Sequence, residues 1–156
     1  VSKTGGEELC KEYYKIYGLK TIILRYFNVY GNREPVKGHY APVIGLFLRQ
    51  KKEGKPLTIV GDGMQTRDFT HIDDVVNANV LASETREKDA FGEIFNIGTG
   101  DPYTILWIAH TLGGEICHIP QRVGEARNTQ ADNSKARKLL GWKPTKNLED
   151  YIKNLT

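Results

Sequence analysis

At 156 residues, with 22 basic against 19 acidic residues and a net charge of +3, the chain can bury one real core and is too evenly charged to carry a nucleic-acid footprint. Its best apolar window, APVIGLFL, is short and runs straight into RQKK, which excludes a membrane span and leads us to expect a soluble, cytoplasmic protein. Cys10 and Cys117 form no CxxC pair, and His39, His71, His110 and His118 lack HExxH or cysteine partners; we expect buried reduced thiols and no metal site.

The opening, VSKTGGEELCKEYYKIYG, has no initiator Met and no signal-peptide pattern. It reads as a helix already under way, so we expect chain before Val1. Leu9, Tyr13 and Ile16, with Cys10, Tyr14 and Tyr17 beside them, form two apolar stripes at helical spacing that end at Gly18. KTIILR has the β-branched run of a strand buried on both faces, and helix followed by such a strand predicts a parallel α/β layer. NVYGNREPVKGHY reads as a long loop. Pro42 suits a helix start, VIGLFLRQKKEG has helical spacing, and Gly54 closes it. PLTIV and TRDFTHI flank GDG, which predicts strand, turn, strand.

IDDVVNANVLASE opens on acidic residues that favour a helix N-terminus, and Val75, Val76, Ala78, Val80 and Leu81 give it a broad apolar face. EIFNIG follows as a second buried strand, YTILWIAHTLGG as an amphipathic helix and EICHIP as a short strand. NSKARKLLGW predicts a helix capped by Asn133 or Ser134 and stopped by Gly141, and LEDYIKNLT begins one more. FNIGTGDPY opens like a dinucleotide turn, but Pro102 interrupts it and Tyr103 stands at the third glycine position.

RYFNVYG, GDGMQTRDFTHIDDV, FNIGTG, QRVGEARNTQADNSKARKLLGW and the opening SKTGGEE occur in one order over almost the whole chain. Together they resemble the C-terminal half of the extended short-chain dehydrogenase/reductases, in the NAD-dependent nucleotide-sugar epimerase/dehydratase family. The resemblance implies NAD as cofactor and a nucleotide sugar as substrate, a UDP-sugar first. It makes Lys3 the surviving member of a catalytic Tyr-x-x-x-Lys pair, with the Tyr expected just before Val1. In such a pair the ammonium favours the phenolate and brings a base of ordinary pKa near 10 toward working pH; the same Lys holds the nicotinamide ribose.

Arg25-Tyr26-Phe27-Asn28 ends the first predicted strand, where ligands bind in open α/β sheets. By resemblance, Tyr26 and Phe27 lie against the nicotinamide and Asn28 reaches the diphosphate. Arg67 and Arg122 match the family's phosphate-binding arginines, whose guanidinium fork suits a diphosphate. Tyr40, with APVIGLF, falls where the family lines its nucleotide pocket. Asp68, Asp73 and Asp74 are expected to be structural rather than acid/base groups, and Phe69, Trp107 and Trp142 to be core. The chain departs from the family at Asn32 (often Pro), Gly45 (often Pro), Glu125 (usually Asp) and Thr129 (Tyr in several 4-epimerases).

The expected architecture is α/β: the C-terminal remainder of a doubly wound Rossmann-type sheet (1–28 and 68–97) plus a smaller mixed α/β substrate-binding part (29–67 and 98–156). The expected function is the C-terminal half of a UDP-sugar 4-epimerase, inactive alone because the GxxGxxG turn and the Tyr are absent. Alternatives are a 4,6-dehydratase or reductase of the same family, or a non-catalytic sugar-nucleotide-binding module. Leu9, Tyr13, Tyr14 and Tyr17 are candidates for a homodimer interface in the complete enzyme.

Overall fold

The computed structural model describes residues 2–35, 41–121 and 123–155. In chain order its elements are α1 (Ser2–Tyr17), β1 (Ile23–Tyr26), β2 (Val29–Tyr30), α2 (Val43–Lys52), β3 (Leu57–Val60), β4 (Thr66–Asp68), β5 (Thr70–His71), α3 (Ile72–Glu84), a 3-10 turn (Lys88–Ala90), β6 (Ile94–Ile97), β7 (Pro102–Thr104), α4 (Ile105–Leu112), β8 (Ile116–Ile119), α5 (Ser134–Leu140) and α6 (Leu148–Lys153). The mixed α/β character expected from the sequence is present, with parallel pairing dominant: β1 with β6, β2 with β5 and β3 with β8, while β4 and β7 run antiparallel.

The strand, turn, strand expected over PLTIV, GDG and TRDFTHI is present, and its strands take different partners, β3 with β8 and β4 with β7. Two local expectations are corrected. β1 is not buried on both faces, because among the described residues it pairs only with β6, and Arg25 and Tyr26 are exposed. Cys117 is exposed rather than buried, as is its neighbour His118 in β8; Cys10 is half-buried, and both thiols are free.

Two apolar clusters hold the molecule together. Phe47 of α2, Leu57 and Ile59 of β3, Ile108 of α4 and Ile152 of α6 centre the first. Phe95 and Ile97 of β6, Ala78 of α3, and Ala136, Leu140 and Trp142 at α5 form the second. Burying each large side chain contributes roughly 1.5–3 kcal/mol before chain entropy is subtracted. Phe69 and Trp142 are core as expected, and the half-buried Trp107 ring lies 4.6 Å from that of Tyr103.

Polar groups fasten the ends of these elements. The Asp74 carboxylate accepts from Thr145 N, Thr145 Oγ1 and Lys146 N, and its carbonyl accepts from Trp142 Nε1 at 2.9 Å. This ties the first turn of α3 to the chain after α5. At α5 itself the expected cap fails: Asn133 donates from Nδ2 to Gly98 O (2.8 Å) and accepts Arg137 Nε, while Asp132 Oδ1 takes the Ser134 N–H. Asn133 is 8% exposed and stands at the N-cap position, but its side chain is taken up by the loop after β6 and by Arg137 and bonds no backbone N–H of the helix.

α1 stands apart from both clusters and buries no residue. Its stop at Gly18 is as expected, with φ of 67° and its N–H bonded to Tyr14 O. Its attachments are the two-pronged Arg25–Glu7 pair, Thr21 Oγ1 donating to Cys10 O, and Tyr14 packed so closely over Gly92 that a Cβ there would meet its ring at 2.6 Å.

Candidate functional site

Strand alternation builds the site. Successive residues of a strand point to opposite faces, so β3 sends Leu57 and Ile59 into the core and leaves Thr58 and Val60 facing a cavity of about 640 Å³. The short β4 does the same with two charged residues, presenting Arg67 to that cavity and Asp68 to an enclosed pocket behind it. The rest of the lining is apolar at Tyr30, Ile44 and Phe69 and polar at Asn28, Gln65 and Glu125.

Arg67 is firmly held, with its side chain 14% exposed. Nη1 donates to Thr66 O (2.8 Å) and Arg127 O (3.4 Å), and Nη2 donates to Glu125 Oε1 (3.1 Å). The segment carrying Glu125 lies beside β4 through Thr66 N to Arg127 O and Thr129 N to Thr66 O. Arg127 forks onto Asp62 at 2.7 and 2.8 Å, which holds the Asp62 carboxyl at about 2, below its usual range. Gln65, buried, anchors its Nε2 on Val60 O and closes the β3–β4 turn.

Behind Arg67, Asp68 is fully buried and accepts from Thr99 N, Thr99 Oγ1, Gly100 N and Ala131 N at 2.7–2.9 Å. Four donors on one carboxylate describe a clamp between β4, the loop after β6 and the segment before α5, which is the structural role expected of it. Its carbonyl accepts from Asn28 Nδ2 at 2.8 Å. Asn28 has φ of 26°, in the left-handed region that Asn tolerates better than most residues.

The structure therefore brings Asn28 and Arg67 to one cavity. Tyr26 and Phe27 lie next to it along the chain but face elsewhere: Tyr26 is 48% exposed and donates from its hydroxyl to Asn79 Oδ1, and Phe27 bonds through its N–H to Ile97 O. Lys3 is exposed on the first turn of α1. Tyr40 and Arg122 lie outside the described residues. Sequence reasoning missed Gln65 and Thr58, and it noticed Glu125 only as a departure from an Asp. The signals available were the period of β3 and the acidic residue three places after Arg122.

A larger hollow, about 950 Å³, is lined by Tyr14, Leu24, Tyr26, Asn79 and Phe91. The smaller cavity is the better candidate, since its polar side chains converge from several elements and are fixed by hydrogen bonds. In a separate hollow beside Tyr30 and Pro42, Glu34 lies against Gly45, where a Cβ would meet Glu34 Cγ at 3.3 Å and Pro35 O at 3.0 Å. The glycine in place of the family's frequent Pro makes room for it. Both Glu34 oxygens are buried without a hydrogen-bond partner among the described residues, and burial pushes the carboxyl up to about 7.

Residues 1–98 match the family model described as the NAD dependent epimerase/dehydratase family. A putative UDP-glucose 4-epimerase of Methanocaldococcus jannaschii is 40% identical over 161 residues, which cover 99% of this chain and 50% of that protein. A UDP-N-acetyl-alpha-D-glucosaminuronate decarboxylase of Bacillus cytotoxicus is 34% identical over 165 residues, 98% of this chain and 50% of the other. Among solved structures, UDP-glucuronic acid 4-epimerase from Bacillus cereus, in complex with UDP-glucuronic acid and NAD, superposes with a TM-score of 0.84 at 40% identity over 99% of this chain and 52% of that one. The chain spans about half the length of the relatives it matches. Motif order, parallel α/β pairing and these likenesses agree, and the chain belongs to the NAD-dependent epimerase/dehydratase family.

Proposed function

We propose that this chain supplies the sugar-nucleotide-binding half of a cytoplasmic, NAD-dependent nucleotide-sugar 4-epimerase, with a UDP-sugar as ligand. The observation that carries the reading is the convergence of Arg67 and Asn28 on one cavity of about 640 Å³, large enough for a nucleotide. Arg67 is the cation for a diphosphate, oriented in advance by two backbone carbonyls. Asn28 is oriented by Asp68 O, and Tyr30, Ile44 and Phe69 give the base an apolar floor. Tyr40 and Arg122 complete the proposed binding set.

The residues present fit one end of an NAD molecule. Lys3 is exposed on α1 and the carboxyl end of β1 leaves Tyr26 open, which suits the nicotinamide ribose, whereas the sequence has no GxxGxxG turn for the pyrophosphate. Bound NAD would supply reversible hydride-transfer chemistry. Lys3 would bind the ribose and favour ionisation of a neighbouring phenol, and Tyr26 with Phe27 would border the ring. Because Lys3 is the one member of the Tyr-x-x-x-Lys pair within these 156 residues, we expect the polypeptide alone to leave UDP-glucose and UDP-galactose unconverted.

Two organisational proposals accompany this. The chain is proposed to divide into interleaved parts, 1–28 with 68–97 and 29–67 with 98–156; the first cluster gathers α2, β3, α4 and α6 of the second part, whereas Ala136, Leu140 and Trp142 at α5 pack with β6 and α3 of the first. The exposed Leu9, Tyr13 and Tyr17 support α1 as a homodimer face in the complete enzyme.

Calorimetric titration of the chain with UDP and UDP-glucose tests the cavity. Arg67→Met should weaken UDP binding about tenfold to a hundredfold, the loss of a charge-assisted contact worth roughly 1.5–3 kcal/mol. Absence of binding to either ligand by the unmodified chain would sink the assignment. The decarboxylase relative supports a second reading, the same cavity serving other chemistry on a UDP-sugar; product analysis with the full-length protein separates the two.

A further inference from the structure

We propose that Glu34 is a proton-operated latch on α2: as a neutral acid it packs on Gly45 and holds the helix that walls the cavity, and as a carboxylate it turns out to water and lets the first turn of that helix loosen. The latch uses a residue outside the proposed binding set and does not depend on which ligand the cavity takes.

α2 serves two sides at once. Val43, Ile44 and Leu46 line the cavity of about 640 Å³, while Gly45, between them in sequence, lies against Glu34 and Pro35. Tyr30 and Pro42 border both that cavity and the hollow that Glu34 lines. A change at Glu34 therefore reaches the cavity through one helical turn. That turn is lightly held: Pro42 supplies no side-chain cap, Gly45 lowers the helical propensity, and Leu46 N–H donates to Pro42 O at 2.9 Å.

The surroundings of Glu34 suit the neutral acid. Both its carboxyl oxygens are buried without a hydrogen-bond partner among the described residues. From α6 comes Tyr151, whose phenol is raised by burial and then by the Glu34 charge; from β2 comes buried Tyr30, its ring 5.0 Å from Tyr151 and 5.1 Å from His71. His71 Nδ1 is taken by the Asp73 N–H, α3 reaches the hollow through Ile72, and α2 carries no charged residue before Arg49. Arg33, the one cation lining the hollow among the described residues, is exposed. A carboxylate there is uncompensated, and burial lifts its pKa to about 7. In water the ordinary 4.5 returns, so rising pH between 4.5 and 7 favours the released form.

The test is amide hydrogen exchange by NMR on the full 156-residue chain and on Glu34→Gln, at pH 5.5 and pH 8, with rates corrected for the intrinsic pH dependence of exchange. Leu46 N–H is the reporter, and Trp142 N–H, bonded to Ala136 O in the other cluster, is the reference for global unfolding. In the unmodified chain the protection of Leu46 should fall about tenfold more than that of Trp142 as pH rises. In Glu34→Gln the two amides should change alike. Glu34→Met, neutral at every pH, should match Glu34→Gln and replaces it if the buried amide disturbs the fold. Equal changes at Leu46 and Trp142 in the unmodified chain would overturn the latch, as would the same excess loss at Leu46 in the neutral variants. No ligand enters the measurement, so its outcome is independent of the sugar-nucleotide reading.

Discussion

Sixteen residues of α1 bury no side chain, while three residues of β4 place one charge at a cavity and another in an enclosed site with four donors. The two regions satisfy their surfaces in opposite ways. Around β4 each strand position is committed, Arg67 to Glu125 and two carbonyls, Asp68 to the loop after β6 and to Ala131. On α1, Leu9 is 62% and Tyr17 72% exposed, and attachment comes from a few contacts at Glu7, Cys10 and Tyr14. The difference teaches that the part around the cavity is organised by its own polar network, whereas the first helix leaves apolar side chains exposed.

The largest effect should come from breaking the better-satisfied side. Asp68→Ala strands four donors, one buried and three part-buried, around a fully buried carboxylate site, and we expect it to cost about 3–5 kcal/mol in urea unfolding, as for loss of a buried charged partner. A cost below about 1 kcal/mol would mean that the clamp is dispensable and the contrast with α1 is superficial.

An intermediate effect belongs to Glu34, whose carboxyl is raised from 4.5 to about 7 by burial. Below the ordinary value both folded and unfolded chains hold the proton. Between 4.5 and 7 the unfolded chain releases it first, so the folded state loses stability as pH rises, and the loss is complete above about 7. Glu34→Gln removes that penalty. After allowance for its partial exposure, the variant should gain about 1–2 kcal/mol at pH 8 and nothing at pH 4. Unfolding curves displaced equally at both pH values would contradict the burial argument.

The smallest effect on stability is expected on α1. The pair Leu9→Ser and Tyr17→Ser should change unfolding by under about 0.5 kcal/mol each while lowering the concentration-dependent light scattering of the chain. Scattering that stays the same would remove α1 as an association face.

Helices were the most legible part of the fold, because Gly18, Gly54 and Gly141 end periodic apolar stripes at or next to the observed stops. Strand pairing was not. GDG between two apolar runs carries the local signal of a hairpin, yet β3 pairs 59 residues away and β4 34 to 38 residues away, a choice made by packing that no window contains. At the site, Arg67 was visible through its motif; the engagement of Glu125 with it was not, because QRVGEARN says nothing about which strand it will lie beside. Asn133 shows the same limit: a good capping residue was drawn to Gly98 instead.

The brevity of β4 also constrains how this sequence can be inherited. With Arg67 and Asp68 on opposite faces of a three-residue strand, inserting or deleting one residue there would exchange cation and anion between cavity and interior. Length variation must fall in the flanking turns, and innovation at β4 itself is limited to point changes among its neighbours, Glu125 among them, which accepts a hydrogen bond from Arg67.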